Sequence, residues 1–144
     1  MTVALDTNLL LYASDAASEF HERALDTLRQ YVESSNIVYL FWPVVIGYLR
    51  IATHPSVFDH PLTPDAAMAN VGNLIDRPNV RSPGEDDGFW KIFRDVGHEF
   101  VVRGNLVSDA HLIGLMRQFG VQKIVTHDRD FLKFDGVKVL DPFK

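Results

Sequence analysis

Val3-Ala4-Leu5-Asp6, at the start of the chain, is three apolar residues closed by a carboxylate. A short apolar run bounded by a polar residue reads as a buried strand, and residues 2–5 are assigned to one. A second run stands late in the chain, where Lys123-Ile124-Val125-Thr126-His127 is followed by Asp128. Between them, Asp109 interrupts an otherwise apolar helical stretch, Asn105-Leu106-Val107-Ser108-Asp109-Ala110-His111-Leu112-Ile113. In open α/β folds the carboxyl ends of parallel strands face one crevice, and ligands bind there. Two aspartates at such ends and a third on a packed helix would make an all-oxygen pocket suited to Mg²⁺ or Mn²⁺. That pocket points to metal-dependent phosphodiester chemistry.

Working outward, strands and helices alternate. The spacing predicts a short helix over residues 8–14. A second helix begins at a Ser18 cap, with Glu19 and Glu22 in its first turn and Phe20, Ala24, Leu28, Tyr31 and Val32 on one apolar stripe. A strand follows at 37–41, then a helix from Pro43 to about His54, since proline suits a first helical turn. On that helix Val45, Tyr48, Leu49 and Ala52 share one face, and Gly47, Arg50 and His54 another. Thr63-Pro64-Asp65 opens a helix to about Asp76, residues 79–82 form a strand, and Phe89, Ile92, Phe93, Val96 and Phe100 mark a further helical stripe. Asn105 caps the helix carrying Asp109, and Gly120 ends it. Residues 123–127 and 137–140 are the last strands. The pattern predicts one three-layer α/β/α domain over residues 1–144, with a central, mainly parallel sheet covered on both faces.

The 144-residue length suits a single core, and 47% hydrophobic with 23% charged residues is ordinary for a globular domain. With no cysteine there is no disulfide, thiolate zinc site or cysteine nucleophile, which agrees with a reducing cytoplasm. No apolar stretch approaches the roughly 20 residues of a membrane span, so no membrane association is expected. The net charge of −5, from 14 Lys+Arg against 19 Asp+Glu, is unlike a general nucleic-acid binder, although carboxylates at a catalytic centre lower the sum.

Each aspartate also has an ordinary reading. Asp6 and Asp128 are well placed as caps, and Asp109 lies near a helix N-terminus, where a carboxylate is favourable. Three caps need not converge, however, whereas a metal site must. Six histidines are present. His111 follows Asp109 by two positions, which predicts a different side of the helix, and His127 is expected to face away from Asp128. Histidine-based acid–base chemistry is therefore the weaker mechanism. A phosphotransferase of the haloacid-dehalogenase type needs a second aspartate two residues after the first, where Asn8 stands.

Leu5-Asp6-Thr7-Asn8-Leu9-Leu10-Leu11-Tyr12, Gly104-Asn105-Leu106-Val107-Ser108-Asp109-Ala110-His111-Leu112 and Thr126-His127-Asp128-Arg129-Asp130-Phe131 resemble, in order and spacing, the PIN-domain nucleases, and more narrowly the VapC-type toxins of bacterial toxin–antitoxin pairs. Gly47-Tyr48-Leu49-Arg50-Ile51-Ala52-Thr53-His54-Pro55 resembles one subgroup of them. The resemblance implies a PIN fold and a Mg²⁺- or Mn²⁺-dependent endoribonuclease acting on tRNA or rRNA. It also implies a cognate VapB-type antitoxin and a homodimer. Carried over by position, Asp6, Asp109 and Asp128 match the metal-binding catalytic acids. Asp130 matches a supporting acid or a cap, and Thr7 and Asn8 match the polar positions beside the first acid.

One departure stands out: Gly47 occupies the position where many PIN domains carry a glutamate. Either three aspartates and water hold one metal, or the chain is a weak or inactive PIN-fold binding module. Arg50 shares the Gly47 face and is expected to contact RNA phosphate, with an interhelix salt bridge as the alternative. Arg103, Lys123, Arg129 and Lys133 are further rim cations. Phe41, Trp42 and Tyr48 are expected to be core or to line a groove for an antitoxin helix.

Overall fold

The computed structural model describes residues 1–99 and 101–144. Twelve elements follow in order. The first half holds β1 (Thr2–Leu5), α1 (Thr7–Ser14), α2 (His21–Val32), β2 (Ile37–Tyr39), α3 (Trp42–Ala52) and α4 (Pro64–Ile75). The second holds β3 (Val80–Arg81), α5 (Phe89–Gly97), α6 (Leu106–Gln118), β4 (Lys123–Val125), a 3₁₀ turn (Arg129–Lys133) and β5 (Lys138–Leu140).

The five strands form one sheet in the order β3-β2-β1-β4-β5, and every described pairing is parallel. The predicted sheet is therefore present, with β1 as expected and the other strands shorter, because the chain leaves the ladder soon after each apolar run. Successive strand residues face opposite sides of a sheet. Val3, Ala4 and Leu5 are nevertheless all buried, so helices must cover both faces of β1. α1 packs on α2 and α3, and α5 packs on α6.

Order reverses at the centre. From β1 the chain steps outward through β2 to β3, then returns to the other side of β1 for β4 and β5. The crevice between β1 and β4 is thus the topological switch point, where open α/β sheets bind ligands.

Local chemistry explains most boundaries. Thr63 caps α4 by accepting the Ala66 amide at 3.1 Å, with Pro64 in the first turn. Gly120, at φ +70°, closes α6 while the Val121 amide reaches back to the Met116 carbonyl at 2.8 Å. Two expected caps differ. Ser18 spends its side chain on the Phe20 amide inside a turn, and α2 starts only at His21. Asn105 precedes α6 with helical dihedrals and no side-chain cap bond. Phe100, expected on the α5 stripe, lies outside the described residues.

Tyr48 takes the core alternative. It is buried, and its hydroxyl meets Ser14 Oγ at 2.7 Å and Asn70 Nδ2 at 3.0 Å, tying α1, α3 and α4 together. Phe41 is buried as well, whereas Trp42 is exposed.

Candidate active site

Parallel register brings the first two acids together. Leu5 pairs with Val125, and the Asp6 amide donates to the Val125 carbonyl at 3.1 Å. Asp6 therefore leaves β1 beside Thr126. Asp6 also caps α1, with Oδ1 accepting the Thr7 amide at 2.8 Å. Asp128 caps the 3₁₀ turn, with Oδ1 accepting the Asp130 amide at 2.9 Å. The capping and site-building readings are thus compatible: the caps aim these carboxylates.

Thr126 was not singled out by the sequence, yet it is the hub of the arrangement. Its Oγ1 donates to Asp6 Oδ2 at 2.7 Å, accepts from Asn8 Nδ2 at 3.1 Å and accepts the Asp128 amide at 2.9 Å. Asn8 Oδ1 in turn receives the His127 amide at 3.4 Å. These three bonds use both Oγ1 lone pairs and its proton, so a fully buried hydroxyl is satisfied while fixing two loops.

Asp109 comes from the first turn of α6. Asp6, Asp109 and Asp128 line one cavity of about 650 Å³, together with Thr7, Asn8, Gly47 and Arg50. At its edge Asp109 and Asp128 form a group with Asp130, each offering one oxygen within 4.8 Å of the others. Asp6 stands beside that group rather than inside it, anchored by Thr126 and Thr7.

Electrostatics reflect this crowding. Burial pushes the Asp109 carboxyl up to about 7, and the neighbouring charges of Asp128, Asp6 and Asp130 add to the shift, with Lys133 opposing it. Burial also raises Asp6; hydrogen bonds from Thr126 and Thr7 pull it back, and Asp128 pushes it up again. Lys133 Nζ lies 3.4 Å from Asp130 Oδ1. Repulsion among these groups is relieved by a cation, and an all-carboxylate donor set suits a hard one.

The opposite wall is α3. Gly47 leaves it open: a Cβ there would sit 3.5 Å from Thr7 Oγ1, an ordinary contact, so space alone does not demand glycine. Arg50 lines the cavity and has no carboxylate within 4.0 Å among the described residues, against the salt-bridge alternative.

His111 departs from expectation. It lines the same cavity as Asp109, with Nε2 2.5 Å from Glu85 Oε1. The intervening loop before α5 is pinned along α6, because Gln118 also bonds Gly84 and Asp86. Glu85 and His111 are 26 residues apart, and no spacing rule links them. His127 faces away as predicted: it bonds Asp141 and packs among Tyr12, Phe20 and Phe143.

Residues 3–137 match the model of the PIN domain. The chain belongs to the PIN-domain family. Within it, this PIN domain is 44% identical over 143 residues, 99% of either chain, to Ribonuclease VapC48 of Mycobacterium tuberculosis. It is 30% identical over 138 residues to Ribonuclease VapC37 of the same organism, covering 93% of this chain and 92% of that one. Among solved structures, the VapC20 toxin of M. tuberculosis, described as cleaving the sarcin-ricin loop, superposes with a TM-score of 0.68 at 19% identity, over 94% of this PIN domain and 98% of that chain. VapBC2 of Rickettsia felis, bound to a DNA fragment from its promoter, gives 0.67 at 13% identity over 98% of both chains. At such identities the structural likeness establishes the fold. No helix among the described residues of the PIN domain is long and apolar enough to cross a membrane.

Proposed function

We propose that this chain is a Mg²⁺- or Mn²⁺-dependent endoribonuclease toxin that cuts structured RNA of the tRNA or rRNA class and is restrained by a VapB-type antitoxin. The observation that carries the proposal is the gathering of Asp6, Asp109 and Asp128 in one cavity at the switch point of the sheet, with Arg50 in the same lining and free of any carboxylate among the described residues. The relatives named as ribonucleases, one of them matched over 99% of the chain, support it. The VapBC assembly named for the R. felis neighbour supports the antitoxin as partner. Residues 1–144 act as one domain in this reading, in the cytoplasm and as a homodimer.

Asp109 and Asp128 would hold the ion, with Asp130 supporting and Asp6 completing the shell. When bound, the cation polarises a phosphoryl oxygen and makes a water nucleophilic near neutral pH. The protein supplies the rest. Thr126 and the Thr7 amide hold Asp6 so that its carboxylate does not swing. Arg50 grips a non-bridging phosphate oxygen from the opposite wall, through paired hydrogen bonds. Thr7 and Asn8 complete the polar lining beside Asp6. In-line attack by water then leaves a 3′-hydroxyl and a 5′-phosphate.

The test is cleavage of tRNA and of an rRNA hairpin by antitoxin-free protein, with and without Mn²⁺, beside Asp6→Asn. Metal-dependent cutting that the variant loses is expected, with 5′-phosphate ends. Terminal 2′,3′-cyclic phosphate would defeat the water-attack step. Intact RNA in every condition would favour the binding module that Gly47 suggests.

A further inference from the structure

The acids account for cutting, but a chain of net charge −5 must also hold a polyanion. A second cavity, of about 500 Å³, lies between α2 and the 3₁₀ turn. Val125 and Leu140, the last residues of β4 and β5, line it. It therefore opens at the same end of the sheet as the acidic crevice, on the neighbouring pair of strands.

Its charge is unlike that of the chain as a whole. Arg23 from α2, Arg129 from the 3₁₀ turn and Lys144 line it, and none of them has a carboxylate within 4.0 Å among the described residues. Among the lining side chains of the described residues the acid is Asp141, and that carboxylate is already engaged. Its Oδ1 accepts the Phe143 amide at 2.9 Å, and His127 Nδ1 lies 3.0 Å from Oδ2. Asp141 cannot turn toward the cations without losing those bonds. Three like charges around one hollow repel, and an anion seated among them reverses the sign of that interaction. Guanidinium forks and an ammonium are the donors that suit phosphate.

The connection to the acids selects the anion. Arg129 follows Asp128 directly, and the Asp128 cap holds both on one turn. A nucleic-acid strand with one phosphate at the acids runs its neighbours past Arg129. We propose that the cavity walled by Arg23, Arg129 and Lys144 seats a backbone phosphate of the RNA substrate, flanking the one that is cut. This rests on the ribonuclease reading and adds a binding subsite to it.

The experiment is fluorescence anisotropy of labelled tRNA with the full chain in EDTA, titrated with KCl. The salt dependence of affinity reports the number of phosphates neutralised, at about 0.7–0.9 in slope for each. Arg23→Ala and Lys144→Ala, both at exposed positions, should each lower the slope by about that amount and weaken binding, while Arg23→Lys keeps it. Mn²⁺ affinity by calorimetry and the thermal melt should stay at wild-type values. If wild type binds tRNA and both alanine variants match it in slope and affinity, the subsite is wrong and the ribonuclease reading stands. The same holds if the variants lose only binding to an acidic peptide. If wild type neither binds nor cuts RNA, both readings fall together.

Discussion

Thr126 Oγ1 gives its proton to Asp6 Oδ2 at 2.7 Å and takes the Asp128 amide at 2.9 Å, so one hydroxyl sets two acids from opposite ends of the chain. Thr126→Val keeps the shape and deletes all three hydroxyl bonds. It strands a buried carboxylate oxygen and a backbone amide, a loss of about 1–3 kcal/mol per unmet group. Supporting residues of this kind alter metal affinity by about 10–100-fold. Weaker Mn²⁺ binding by calorimetry and a lower melting temperature are expected, with both restored by Thr126→Ser. Wild-type Mn²⁺ affinity in Thr126→Val would show that Asp6 needs no such anchor.

Asp109 makes metal-free stability depend on pH in an unusual direction. Its carboxyl is pushed up to about 7 in the fold, while an unfolded aspartate titrates at about 4. Between those values the folded chain binds more protons, so this group lowers stability as pH rises, and the penalty is complete above about 7. Asp109→Asn removes the charge. In EDTA the variant should melt higher than wild type at pH 8, and the gain should shrink at pH 5. An equal difference at both pH values would deny that repulsion and burial act on Asp109.

Arg50 lines the cavity of the acids and meets no carboxylate among the described residues, so truncating it should harm substrate binding rather than the fold. Arg50→Ala is expected to raise KM for RNA at least several-fold with an unchanged melting temperature. A fall in melting temperature with unchanged KM would assign the guanidinium to the packing of α3.

Gly114 on α6 lets α5 approach. A Cβ there would meet Phe89 Cζ at 3.0 Å and Cε1 at 3.1 Å. Phe89 also packs on His111, so displacing the ring disturbs the wall that carries Glu85. Gly114→Ala should cost about 1–3 kcal/mol in denaturant unfolding, the usual cost of overpacking, despite alanine's better helix propensity. A stabilised variant would show that the ring moves aside freely.

What was legible in the sequence was local. Val3-Ala4-Leu5-Asp6 and Lys123–Asp128 announce strand ends, and proline and glycine mark the bounds of α3, α4 and α6, because each signal lies within a few residues of its effect. What escaped depends on long-range register. Thr126 looks like any β-branched strand residue until β4 lies against β1. Glu85 gains its place only when its loop runs along α6 to His111. Ser18 illustrates the opposite error: a good capping residue found a nearer amide in its own turn, and the helix began later. The expected direction of His111 failed because the cavity is wide enough to include two neighbouring faces of one helix.

The β1–β4 pairing has a consequence for synthesis. The middle strand of the sheet, β1, precedes both of its neighbours in the chain, and the second of them, β4, is complete only at residue 125. Until then, one edge of β1 is bare and Asp6 waits without Thr126 or Asp128. Whatever chemistry the crevice performs therefore cannot begin before residues 126–128 have been laid against Asp6.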